Sequence, residues 1–113
     1  LEAEIERFVI AEYDNQVIGC AALYAFAQEG VGELAALAVD PDFQREGYGE
    51  ALMREIELRA RRLRLSALFV LTTRTSGWFL ERGFELVGIT DLPKAKQMLY
   101  NYQRKSLVYR KTL

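Results

Sequence analysis

The chain holds 113 residues, 50% hydrophobic, 12% aromatic and 27% charged, which is enough apolar material for one globular core and leaves little room for a second domain. With no His and one Cys (Cys20), it excludes His-based triads, Cys/His zinc centres and any intramolecular disulfide. Lys+Arg 15 against Asp+Glu 16 gives a formal net charge of -1, which removes any overall electrostatic case for nucleic acid or an anionic membrane as partner.

The stretch Arg7 to Tyr13 is β-branched and aromatic, Asp14-Asn15-Gln16 supplies turn residues, and Val17 to Tyr24 follows, so an antiparallel hairpin is predicted. A second turn over Glu29 to Gly32 leads into Glu33-Leu34-Ala35-Ala36-Leu37-Ala38-Val39, whose near-continuous apolar character predicts a strand buried on both faces, ended by Asp40-Pro41. From Tyr48 to Leu65 the period turns helical: Leu52, Met53, Ile56, Ala60 and Leu63 share one face. The pairs Glu50/Arg54, Glu55/Arg59 and Glu57/Arg61 have i,i+4 spacing with the acid leading, which predicts a solvated charged face rather than a basic patch.

Ala67 to Thr73 reads as another buried strand. A helix from Thr75 to Arg82 should stop at Gly83, a residue suited to a left-handed cap, before a strand from Phe84 to Ile89. Asp91-Leu92-Pro93 reads as the start of a helix running toward Tyr102, and Ser106 to Arg110 as a closing strand. The order β-β-β-α-β-α-β-α-β, hairpins first and helical crossovers later, predicts an α/β (α+β) fold with a mixed, mostly antiparallel sheet flanked by helices.

The segment Gln44-Arg45-Glu46-Gly47-Tyr48-Gly49 lies between a strand and an amphipathic helix, where free backbone N–H groups and the positive helix end suit an anion. Its glycine spacing matches neither the dinucleotide fingerprint nor the P-loop, so spacing alone leaves an ordinary strand-to-helix turn equally open. Together with the preceding Leu37-Ala38-Val39, however, the string resembles the acyl-CoA signature of the Gcn5-related N-acetyltransferases (GNAT), Gln44, Gly47 and Gly49 filling its key positions. Trp78-Phe79-Leu80-Glu81-Arg82-Gly83-Phe84 resembles that family's second signature.

Within the superfamily, four segments in order resemble the acetyltransferase domain of bacterial N-acetylglutamate synthases: Glu33 to Val39, Leu71 to Thr75, Trp78 to Phe84 and Leu99 to Ser106. The resemblance implies the GNAT fold without its N-terminal strand and helices. It also implies direct transfer of an acetyl group from acetyl-CoA to the α-amine of L-glutamate, with no metal. By matched position, Leu37, Ala38 and Val39 would carry the pantetheine arm, the stretch Gln44, Arg45, Glu46, Gly47, Tyr48 and Gly49 the phosphates, and Phe79 would flank the cofactor. Glu33 matches the base, which the reaction needs because an ammonium has no lone pair. Thr72 matches a hydroxyl given acid or oxyanion work, since the usual Tyr position is Phe79.

Arg74, Arg104 and Ser106 match segments that bind the substrate, and Arg forks suit carboxylates. Two alternatives stand beside this reading: an acetyltransferase of another small-molecule or protein amine, and a non-catalytic domain that binds acyl-CoA. No apolar run reaches the roughly 20 residues that span a bilayer, and Leu1-Glu2-Ala3-Glu4 lacks the basic start of a signal peptide, so a cytoplasmic location is expected. The chain is read as one N-acetyltransferase domain, residues 1–113, truncated at its N-terminus from a longer protein that is expected to be a homo-oligomer. Cys20 is expected to be a small buried hydrophobe without a chemical role.

Overall fold

In a computed structural model, residues 8–72, 76–88, 90, 93 and 107–113 are described. Six strands form one sheet in the order β1-β2-β3-β4-β6-β5. They are β1 (Phe8–Tyr13), β2 (Gln16–Phe26), β3 (Val31–Val39), β4 (Ala67–Thr72), β5 (Glu85–Val87) and β6 (Leu107–Thr112), with helices α1 (Tyr48–Arg62) between β3 and β4 and α2 (Ser76–Glu81) between β4 and β5. Every strand pair is antiparallel except β3 with β4. The mixed, mostly antiparallel sheet expected from the element order is therefore present. The expected helix toward Tyr102 lies outside the described residues.

The first hairpin closes through Asp14 and Asn15, both with positive φ (52° and 65°), the left-handed pair that matches the twist of two-residue hairpins. The helix α1 lays Leu52, Met53, Ile56 and Ala60 against Ala21, Leu23, Leu34, Leu68 and Val70 of the sheet, and Phe79, Phe84 and Tyr109 complete that cluster. A smaller cluster around Phe69 and Val108 occupies the opposite face. The strand β4 is thus buried on both faces, as its apolar run predicts.

The strand β3 is not. It starts two residues earlier than expected, at Val31, and its Ala35, Ala36 and Ala38 are exposed. The physical reason is a bulge. Leu23 pairs with Leu34 and its neighbour Ala22 with Ala36, which leaves Ala35 as the extra residue. Simple alternation would put Leu34 and Leu37 on opposite faces, but the bulge resets the parity so that Leu34, Leu37 and Val39 all pack against the α1 cluster. A continuous apolar string is needed to serve one face through a parity change.

The helix α1 ends at Arg62 rather than Leu65 because Arg64 adopts a left-handed conformation (φ 62°) and the Leu65 N–H closes back on the Ala60 carbonyl at 2.9 Å. Leu65 then re-enters the core, while Leu63, expected on the apolar face, is left half exposed. Glu57, expected on the solvated face, is buried and bonded to Lys111 of β6 at 2.7 Å. Two of the expected i,i+4 pairs form, Glu55 with Arg59 at 3.1 Å and Glu57 with Arg61 at 3.8 Å. Glu50 is bonded to Arg82 at 2.9 Å across 32 positions. Cys20 is only partly buried.

Gly32 shows how tightly β3 meets the core. A Cβ there would lie 2.8 Å from both Leu23 Cδ1 and Leu65 Cδ1 and 3.3 Å from Leu68 Cδ2. These leucines are themselves buried and have nowhere to yield. Gly32→Ala is expected to destabilise the protein by about 1 to 3 kcal/mol, to be measured by chemical denaturation.

Candidate active site

The parallel pairing of β3 and β4 lasts only from Val31 to Glu33 and from Ala67 to Phe69. Beyond that point β3 continues on β2 as far as Val39, and β4 continues on β6 as far as Thr72, but the two no longer bond to each other. The sheet therefore splits. Past Glu33 the edge of β3 that faces β4 offers main-chain N–H and C=O groups that no strand among the described residues takes up, a surface on which an extended ligand can pair as an added strand does.

At the far end of β3 the chain turns through Asp40, whose carboxylate accepts from the Asp42 N–H at 2.9 Å, and a short 3-10 turn over Pro41–Phe43. Gln44 donates its side-chain amide to the Val39 carbonyl at 3.0 Å, which pins the loop to the strand end. Two left-handed residues follow, Arg45 (φ 67°) and Gly47 (φ 91°). Gly47 is the N-cap of α1 and no side chain caps the helix, and the first bond inside it is from Ala51 N–H to the Gly47 carbonyl at 3.0 Å. The amides of Tyr48, Gly49 and Glu50 precede that bond, at the positive end of a 15-residue helix. Free backbone amides at a helix start are suited to hold an anion. A Cβ at Gly49 would press within 3.3 Å of Trp78 Cζ2, so glycine there lets α2 come close.

Strand end, loop, helix start and α2 enclose an open groove of about 530 Å³. Leu37, Ala38, Val39, Gln44, Arg45, Gly47, Gly49 and Phe79, all expected at a cofactor site, line it together. Glu46 is exposed outside the lining, and Tyr48 turns its ring toward Phe43, which in turn packs on Tyr13 at 5.3 Å. Those two positions bring backbone rather than side chains to the loop.

Glu33 sits at the fork of the sheet, paired with Phe69 on the last shared rung, and is 6% exposed. Thr72 ends β4, three positions beyond Phe69, roughly 10 Å along the strand. By alternation it shares the face of Leu68 and Val70, while Glu33 shares that of Phe69. Neither residue lines the groove itself. Arg74, Arg104 and Ser106 lie outside the described residues.

Sequence reading missed Glu50, Trp78 and Arg82 as groove residues. Trp78 forms part of the wall, edge-on to Phe79 at 5.1 Å, with Phe79 edge-on to Phe84 at 5.2 Å. Its i,i+4 spacing to Arg82 is a signal that could have been used: the guanidinium carbon lies 3.9 Å from the Trp78 ring centroid.

An amino-acid acetyltransferase of Azotobacter vinelandii is 55% identical over 113 residues, 100% of this chain and 26% of that protein. The N-acetylglutamate synthase of Neisseria gonorrhoeae complexed with coenzyme A and N-acetyl-glutamate superposes with a TM-score of 0.93 at 42% identity, over 100% of this chain and 27% of its own. The same enzyme complexed with coenzyme A and L-arginine gives a TM-score of 0.90 over 26% of its length. The chain thus spans about a quarter of the relatives it matches. Residues 1–84 match the model of the acetyltransferase (GNAT) family. With the split sheet, the uncapped helix start and the groove between them, that match makes this chain a member of the acetyltransferase (GNAT) family.

Proposed function

We propose that this chain carries the acetyl-transfer site of an amino-acid N-acetyltransferase, acetyl-CoA the donor and the α-amine of L-glutamate the acceptor, yielding N-acetyl-L-glutamate and CoA. The observation that carries the reading is the groove, which joins an unpaired strand edge to an uncapped helix start. An acyl-CoA arm has amides that match the edge of Leu37 to Val39, and its pyrophosphate matches the amides of Tyr48, Gly49 and Glu50 with Arg45 beside them. Phe79 and Trp78 give the arm an apolar wall. The acceptor is supported by the relatives, named for amino-acid acetylation and, in one solved complex, holding N-acetyl-glutamate.

Bound acetyl-CoA supplies an activated acyl carbon and a thiolate leaving group. Glu33 takes a proton from the ammonium of glutamate, directly or through one water, freeing the lone pair that attacks. Main-chain N–H groups on the open edge of β3 offer hydrogen bonds to the negative charge that develops on the acyl oxygen. We assign Arg74, Arg104 and Ser106 to the two carboxylates of glutamate, on residue type and matched position. Thr72 is the candidate hydroxyl for the leaving side, although a thiolate can also leave without a proton.

The test is thiol release from acetyl-CoA by the full-length protein over a panel of amines: glutamate, glutamine, aspartate, lysine and a peptide N-terminus. Highest kcat/KM with glutamate is the expected result. A preference for another amine overturns the acceptor, and CoA binding without release on any amine favours a non-catalytic acyl-CoA domain. Gly47→Ala tests the loop. A side chain there has space but must hold φ at 91°, so stability should fall by about 1 to 2 kcal/mol and CoA affinity with it as the loop relaxes, measured by thermal melting and calorimetric titration.

A further inference from the structure

We propose that Arg82 is a positioning residue that makes the groove acceptable to phosphate by cancelling the charge of Glu50, an inference that rests on the CoA reading of the groove. Glu50 stands in the first turn of α1 and lines the groove. An acid there suits the helix dipole but is the wrong charge beside a seat meant for a pyrophosphate. Arg82, just past α2, reaches over: its Nη2 donates to Glu50 Oε1 at 2.9 Å. Its Nη1 donates to the Trp78 carbonyl at 3.0 Å and lies 3.5 Å from Glu81 Oε1.

The guanidinium carbon also lies 3.9 Å over the centroid of the Trp78 ring. A planar fork held by a ring face and a carbonyl has little freedom left to lose, so the pair with Glu50 forms at low entropic cost. Among the described residues Arg45 has no ion pair, so once Glu50 is cancelled it sets the charge of the groove. One side chain therefore ties α2 to the helix start and removes the like charge from it.

Calorimetric titration of CoA into the full-length protein and its variants tests this. Arg82→Gln should weaken CoA binding about five-fold, as expected for one unmasked charge in a partly solvated site, and should raise the KM for acetyl-CoA more than it lowers kcat. Arg82→Lys, which keeps the charge, should recover most of that affinity. Glu50→Gln alone should tighten binding about two-fold by removing the acid from the groove while Arg82 keeps its charge. The variant carrying both Arg82→Gln and Glu50→Gln should regain most of what Arg82→Gln loses, and the gap between Arg82→Gln and the parent should narrow at about 0.5 M salt.

Loosened structure alone cannot give recovery by a second substitution. Parent-like binding by Arg82→Gln, or a double variant no better than Arg82→Gln, overturns the inference and leaves the CoA reading intact. A parent protein that does not bind CoA overturns both.

Discussion

Glu33→Gln is expected to lower kcat with glutamate by about 10²- to 10³-fold. CoA affinity should stay close to that of the parent protein. The split in effect follows from where Glu33 lies. It is buried at the fork where β3 and β4 part, one side of the sheet split, whereas the residues that line the groove begin at Leu37. Glutamine keeps the shape and loses the basicity, so binding of the donor should persist while removal of the ammonium proton fails. Raising the pH should restore part of the rate of the variant, because the free amine then forms without help from the protein. Full turnover with unchanged CoA binding would remove Glu33 from the chemistry.

The second large effect concerns the wall of the groove. Phe84→Ala is expected to destabilise the protein by about 3 to 5 kcal/mol, read from chemical denaturation. Phe84 is 2% exposed and belongs to the cluster that joins α1 to the sheet. It meets Phe79 edge-on at 5.2 Å, and Phe79 meets Trp78 in the same way at 5.1 Å, so the core ring supports the two rings of the groove in series. The Phe84 N–H also closes on the Phe79 carbonyl at 3.1 Å, and Gly83 before it takes φ 96°. Phe84→Leu retains part of the volume and should cost less, about 1 to 2 kcal/mol, with a smaller loss of CoA affinity. Equal effects of the two substitutions would show that the ring chain does not matter.

Local patterns made most of the architecture readable. The Asp14-Asn15 turn, the apolar stripe of α1, the two-sided burial of β4 and the left-handed Gly83 each depend on residues close in sequence. So does the uncapped helix start beside the strand, because a strand, a glycine loop and a helix start follow one another directly. What escaped depends on distant partners or on backbone parity. Nothing in Glu33 to Val39 marks Ala35 as the bulged residue, since the pairing of β2 decides it. The burial of Glu57 depends on Lys111, which lies 54 positions away, and the groove role of Arg82 on Glu50. The end of α1 at Arg62 rests on a left-handed Arg64, a residue type that gives no such signal.

The most direct test of acetyl transfer to glutamate follows the acetyl group itself. The full-length protein, incubated with acetyl-CoA labelled in its acetyl carbons and with unlabelled L-glutamate, should yield labelled N-acetyl-L-glutamate in one-to-one ratio with free CoA, read by mass spectrometry. Free CoA without label on glutamate, or label on the protein or another amine in its place, would contradict the proposed reaction.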